Sequence, residues 1–212
     1  MDAAFWHAKW EKSEIGFHLD QVNPLLVEHF DQLALTPGSR ILLPLCGKTR
    51  DIAWLLSAGY RVVGAELSRL AVDQLFAELG VTPRETKTGS LTRLAADELE
   101  VFVGDFFDLS VQMLGSVDAL YDRAALVALP ETLRQRYAAH GVRLTGGAPQ
   151  LLISYAYDQR LQPGPPFAIS TAEIHALYGS HYTVRHLAEV EVPGGLRGKC
   201  PATEHVWYLQ AA

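Results

Sequence analysis

Four short stretches carry side chains able to bind or react, and each follows an apolar run: Leu45, Cys46, Gly47, Lys48 and Thr49; Glu66; Gly104, Asp105 and Phe106; Asp122 and Arg123. The Gly47, Lys48, Thr49 sequence has the ending of a phosphate-binding loop. Such a loop needs a further glycine five residues earlier, where Leu42 stands. A dinucleotide fingerprint needs three glycines, and this segment has one, so a pyrophosphate gains no close backbone approach. Glu66 lies 20 positions after Cys46, where a carboxylate can accept hydrogen bonds from both hydroxyls of a ribose. The structural alternative is a solvated Glu opening a turn. Asp105 suits an adenine amino group, or else caps a turn or helix. A ribose grip and an adenine acceptor without a pyrophosphate loop suggest an adenosine ligand that lacks phosphates, such as S-adenosylmethionine. Its sulfonium and amino-acid tail call for aromatic faces and one cation. Trp6 and Trp10 can supply the former and Arg123 the latter, unless the two tryptophans merely pack a lid onto the sheet.

These residues need a scaffold that brings them to one edge. Asn23 and Pro24 read as an N-cap and first helical residue, with Leu26, Phe30 and Leu33 on the buried face. Strands are expected at 40–45, 60–65, 99–103, 117–121 and 150–155, with helices at 49–57, 68–79 and 130–144. That alternation predicts right-handed crossovers and a parallel sheet. Residues 81–97 read as a polar connection with room for a small surface hairpin. Pro163, Gly164, Pro165 and Pro166 can form neither helix nor central strand. A helix at 171–178 and strands at 182–192 and 205–209 close the chain, the last two as an antiparallel edge hairpin.

The 212 residues fit one domain, 1–212, with 1–22 as an N-terminal lid over the site. The composition, 49% hydrophobic and 20% charged, is that of a folded globular chain. A net charge of −6 and the lack of any Lys/Arg run argue against a nucleic-acid partner. No window of about 18 apolar residues and no basic leader occur, so neither membrane nor export is expected, and two separated cysteines suit a reducing cytoplasm. The eight histidines form no HExxH motif and no close Cys/His grouping in sequence, so no metal is expected. No GxSxG elbow exists, and Cys46 reads as a small apolar filler.

The stretch 6–17, the segment Leu43, Pro44, Leu45, Cys46, Gly47, Lys48, the run from Val62 through Glu66 to Ser68, the piece Tyr121, Asp122, Arg123, Ala124, Ala125 and the loop 163–167 together resemble the thiopurine S-methyltransferase family. The resemblance runs from near residue 5 to about residue 209. It implies an α/β fold of the class I S-adenosylmethionine-dependent (Rossmann-like) type: a seven-stranded, mostly parallel sheet with an antiparallel edge hairpin and helices on both faces. It also implies methyl transfer from S-adenosyl-L-methionine to the sulfur of thiopurines and aromatic or heterocyclic thiols in the cytoplasm; a monomer is expected. Bacterial members are further associated with selenium and tellurium compounds. Cofactor contacts carry over to Trp10, Leu45, Glu66, Asp105, Phe106 and Arg123, and substrate contacts to Phe17, Pro165, Pro166 and Arg197. No general base is expected, because a heterocyclic thiol is already largely ionised near neutral pH; Arg197 is the candidate stabiliser of that thiolate. Two rivals stand beside this reading: a module that binds the donor without chemistry, and an NAD-linked oxidoreductase.

Overall fold

The computed structural model describes residues 3–211; residues 1 and 2 of the expected lid, and residue 212, lie outside the described residues. Helix α1 (Ala3–Glu11) is followed by α2 (Pro24–His29), which runs into a 3₁₀ turn at Phe30–Leu33. The central alternation is β1 (Arg40–Pro44), α3 (Arg50–Ser57), β2 (Arg61–Glu66), α4 (Arg69–Leu79), β3 (Arg84–Thr88), β4 (Leu91–Ala96) and β5 (Leu99–Val103). Then come the short α5 (Val111–Leu114), β6 (Ala119–Arg123), α6 (Glu131–Thr145), β7 (Gln150–Tyr157), α7 (Thr171–Tyr178), β8 (Tyr182–Glu191) and β9 (Ala202–Ala211).

The sheet has nine strands in the order β3-β4-β5-β2-β1-β6-β7-β9-β8. This corrects the expected seven. The difference is β3 and β4, an antiparallel hairpin added to β5 from the stretch read as a connection. The five central strands are mutually parallel, and β8–β9 forms the expected antiparallel hairpin at the other edge. The chain runs outward from β1 through β2 to β5 and then returns to lay β6 against the free side of β1. That makes the β1/β6 boundary the switch point, beyond whose carboxyl ends a ligand crevice opens.

Period-two alternation sorts the buried side chains onto two faces. Ile41 and Leu43 of β1 join α2 and α3 residues such as Leu26, Ile52 and Leu55 in one cluster. Leu42 points the other way, into a cluster with Tyr137 and Leu144 of α6 and Ile174 of α7. Each fully buried Leu or Ile contributes about 1.5–3 kcal/mol, so helices on both faces hold the strand ends in place. Helix starts are as expected. Asn23 Oδ1 accepts from the Leu25 and Leu26 amides at 2.8 and 3.4 Å, Thr49 caps α3, and Ser68 caps α4. The amide of Asn23 also donates to buried Asp51 Oδ1 at 2.7 Å, while Tyr121 Oη donates to Asp51 Oδ2 at 3.1 Å. One carboxylate thereby ties the end of the N-terminal segment to α3 and β6.

Candidate active site

A cavity of about 660 Å³ opens over the carboxyl ends of β1, β2, β6 and β7, roofed by the N-terminal segment and the loops at 164–166 and 192–197. Its floor begins with two residues of left-handed backbone at neighbouring strand ends, Leu45 (φ 49°) and Ala124 (φ 65°). A non-glycine residue there costs of order 1–3 kcal/mol and persists where the surroundings enforce it. Gly47, also left-handed at φ 53°, lies so close to Trp10 that an added Cβ would sit 3.0 Å from the indole ring. Glycine at 47 lets the β1 turn pass beneath Trp10.

Glu66 is not the solvated, surface-facing side chain that its position at a strand tip suggests. It is 6% exposed, with Oε2 accepting from the Gly47 amide at 2.7 Å and Oε1 from the Ser68 amide at 2.8 Å. Burial raises its pKa above the usual carboxylate value, against the opposing pull of these amides. Each oxygen has a second lone pair, and the residue lines the cavity, so a fixed pair of acceptors faces the space.

Arg123 lines the same cavity, and its Nη1 donates to the Phe17 carbonyl at 3.0 Å. It pairs with neither nearby Asp in the way a purely structural role would require. Asp122 points into the opposite face, accepting from Tyr137 Oη at 2.6 Å and from the Ala125 and Leu126 amides. Asp105 caps a 3₁₀ turn by accepting from the Phe107 amide at 3.0 Å. Burial first, then the charge of Glu204, pushes the Tyr155 hydroxyl up to about 12, against the opposing pull of the Arg123 cation.

The N-terminal segment brings an aromatic cluster over this floor. The Phe17 ring meets Trp6 and Trp10 edge-on, at centroid distances of 5.8 and 5.6 Å. Trp10 is buried and Trp6 half-buried. Of the residues expected at the site, Trp10, Leu45, Glu66, Arg123, Phe17, Pro165, Pro166 and Arg197 all line the cavity. Asp105 and Phe106 do not. The Phe106 ring is buried in the core against Tyr137 and His140, and Asp105 is occupied by its cap, although the adjacent Gly104 amide donates to the Glu66 carbonyl at 2.9 Å. Tyr155 and His18 also line the cavity and were not singled out from the sequence; Lys48, read there only as part of a phosphate-loop ending, lines it too. Tyr155 was findable, since it follows from reading the fifth strand's carboxyl end as the first four were read. Burial, and then Lys48, hold His18 below its ordinary pKa. Cys46 is buried, and burial pushes its thiol well up, which leaves no cysteine nucleophile here.

The donor set fits a phosphate-free adenosine ligand with a charged amino-acid tail. It offers anchored carboxylate acceptors, aromatic faces and a guanidinium, and no glycine-rich loop to take a pyrophosphate. Comparison with known proteins agrees. The family model described as thiopurine S-methyltransferase matches residues 1–208. A thiopurine S-methyltransferase of Xanthobacter autotrophicus is 55% identical, covering 100% of both chains, and one of Gluconobacter oxydans is 47% identical over 97% of this chain and 94% of its own. Among solved structures, a Burkholderia thailandensis 1,6-didemethyltoxoflavin-N1-methyltransferase with bound S-adenosylhomocysteine superposes with a TM-score of 0.66 at 14% identity, over 98% of this chain and 87% of that one. Full-length matching at this identity, on a fold shared with methyltransferases, places the chain in the thiopurine S-methyltransferase family.

Proposed function

We propose that this cavity carries methyl transfer to the sulfur of thiopurines and related aromatic or heterocyclic thiols. Family membership makes the chain a methyltransferase with S-adenosylmethionine as donor. Bound here, that donor supplies a methyl carbon on a cationic sulfur, open to in-line displacement by a thiolate. The observation that carries the assignment of sides is Glu66: a buried, doubly anchored carboxylate facing the cavity at the end of β2. In this reading its free lone pairs take the ribose hydroxyls, Arg123 takes the donor's carboxylate, and Trp10 and Leu45 cover the donor. Phe17, Pro165, Pro166 and Arg197 form the acceptor side, with residues 3–22 as its lid.

The chain supplies alignment and exclusion of water more than proton chemistry. Trp6, Trp10 and Phe17 shield the donor sulfonium, and the Arg123 bond to the Phe17 carbonyl ties that shield to β6. The Arg197 guanidinium at the cavity mouth favours an anionic acceptor by charge. A net charge of −6 and two buried free cysteines support a small-molecule acceptor and a reducing compartment, and the reading is of a monomer in the cytoplasm.

The test is incubation with methyl-labelled S-adenosylmethionine and a panel of thiopurines, aryl thiols, selenite and tellurite. Labelled S-methyl products from the heterocyclic thiols are expected. Tight donor binding without any methylated product would leave a binding module. The NAD-linked alternative is disfavoured by the single-glycine β1 turn, and NADH-dependent quenching of tryptophan fluorescence would revive it.

A further inference from the structure

The β8–β9 hairpin carries a cluster that methyl transfer does not use. His205 Nδ1 lies 3.0 Å from His186 Nε2, and Glu189 completes a set whose ligand atoms all lie within 4.8 Å of one another. Strand register explains the convergence. His186 pairs with Trp207 and Glu189 with His205, with an irregularity between His186 and Ala188. In an unbroken strand, residues 186 and 189 would point to opposite faces, because their spacing is odd. The extra residue of the bulge returns both to the face that carries His205 and Trp207.

The geometry is supported from below and behind. The His205 ring stacks on Trp207 with planes 10° apart, and the His186 centroid is 4.5 Å from that of Trp207. Trp207 is itself buried and donates through Nε1 to Ser154 Oγ at 2.9 Å, which fixes the platform. His205 Nε2 lies 3.0 Å from Thr203 Oγ1, an outer partner of the kind that orients a ligating imidazole. His186 and Glu189 are exposed, so an ion reaches them without opening the fold.

We propose that His186, Glu189 and His205 form a binding site for a divalent transition-metal ion of the zinc class. His186 Nε2, His205 Nδ1 and one Glu189 oxygen are its ligands, and water fills the fourth position. Two imidazole nitrogens on one zinc sit about 3.3 Å apart, so the pair needs to part by only a few tenths of an ångström. The imidazole that donates in the shared hydrogen bond moves that proton to its other ring nitrogen, so two neutral rings bind with no net proton lost. Imidazole ligands select zinc, cobalt, nickel or copper over magnesium and calcium. None of the three residues lines the cavity. The ion instead ties together the two strands that bracket residues 192–201, the loop that delivers Val192, Leu196 and Arg197 to the acceptor side. The cluster escaped the sequence because its histidines are 19 residues apart and meet only through strand pairing.

The test is calorimetric titration of the full chain with Zn²⁺, with visible absorption of a Co²⁺ complex as a second readout. One bound ion per chain is expected. His205→Ala and His186→Ala should each weaken binding more than about 10-fold and abolish the Co²⁺ spectrum, and Thr203→Val should weaken it by about 10-fold. Circular dichroism establishes that each variant is folded, and Zn²⁺ should raise the melting temperature of the unsubstituted chain but not of folded His205→Ala. Failure of the unsubstituted chain to bind Zn²⁺ overturns the proposal. So does binding that survives both histidine substitutions, or that vanishes in a Cys46→Ser/Cys200→Ser variant with the histidines intact.

Discussion

The two sides of the cavity are built differently. On the donor side, Glu66 is 6% exposed and held by two backbone amides, and the Gly47 turn is wedged under a buried Trp10. On the acceptor side, Arg197 is exposed, at φ 53°, in a loop where Gly194, Gly195 and Gly198 also take left-handed backbone, and Pro165 and Pro166 line the same cavity from a second loop. A preorganised floor and a loop-built roof divide the labour. The floor fixes one constant ligand by hydrogen bonds to strand ends, while the roof presents apolar surface and charge to acceptors of varied shape. Donor-side substitutions should therefore damage binding and stability together, and acceptor-side substitutions should damage turnover alone.

The strongest way to break that comparison is Glu66→Ala. Its charge-assisted hydrogen bonds to a ribose are worth about 1.5–3 kcal/mol each, so S-adenosylhomocysteine should bind at least about 100-fold more weakly by calorimetry. Because the Gly47 and Ser68 amides also lose their acceptor, the melting temperature should fall as well. Unchanged affinity in a folded variant would remove the ribose assignment.

Arg123→Ala comes next. A lost guanidinium–carboxylate contact of about 2 kcal/mol predicts a roughly 30-fold loss for S-adenosylmethionine and a much smaller one for adenosine, which has no carboxylate. Equal losses for the two ligands would mean that Arg123 serves only to hold the Phe17 carbonyl.

Arg197→Ala should lower kcat/KM for aryl thiols by about 10-fold, or about 1.4 kcal/mol, while donor affinity stays within error. With the unsubstituted enzyme, the pH profile of kcat/KM should move with the acidity of each thiol supplied. A profile fixed below pH 6.5 for every thiol would point instead to His18, the histidine that lines the cavity, acting as base.

The smallest effect lies beneath the floor. Burial pushes the Asp122 carboxyl from 3.8 up to about 6, against the hydrogen bonds from Tyr137, Leu126 and Ala125. Between those two values the folded state binds more protons than the unfolded one, so this group's contribution to stability falls as pH rises. Urea titrations at pH 5 and pH 7 should show the unsubstituted chain losing about 1 kcal/mol relative to Asp122→Asn over that interval. Equal differences at the two pH values would mean that Asp122 is ionised throughout.

The parallel core was legible because its strands are apolar runs bounded by capped helices, and Glu66 and Arg123 were legible because that topology puts their strand ends side by side. The β3–β4 pair was legible only as room for a small surface hairpin in 81–97, not as two further strands of the sheet. β3 is exposed along nearly all its length, with the sequence Arg-Glu-Thr-Lys-Thr, and β4 is the one strand it pairs with in the sheet. Asp105 follows the end of β5 as read from the sequence, but its side chain is consumed by a local cap, which residue type alone does not distinguish from ligand contact. Helix α1 lacks an apolar stripe, and its tryptophans gain their meaning only from Phe17 and Gly47.

The central claim is that the Glu66 carboxylate receives the donor's ribose hydroxyls, and a binding cycle tests it most directly. S-adenosylhomocysteine and its 2′,3′-dideoxyribose analogue are titrated into the unsubstituted chain and into Glu66→Gln. If the carboxylate and the hydroxyls are partners, removing either loses most of what removing both loses, with a coupling of about 2 kcal/mol. If the two losses simply add, with coupling near zero, Glu66 serves the turn and not the ligand, and the assignment of the donor side is wrong.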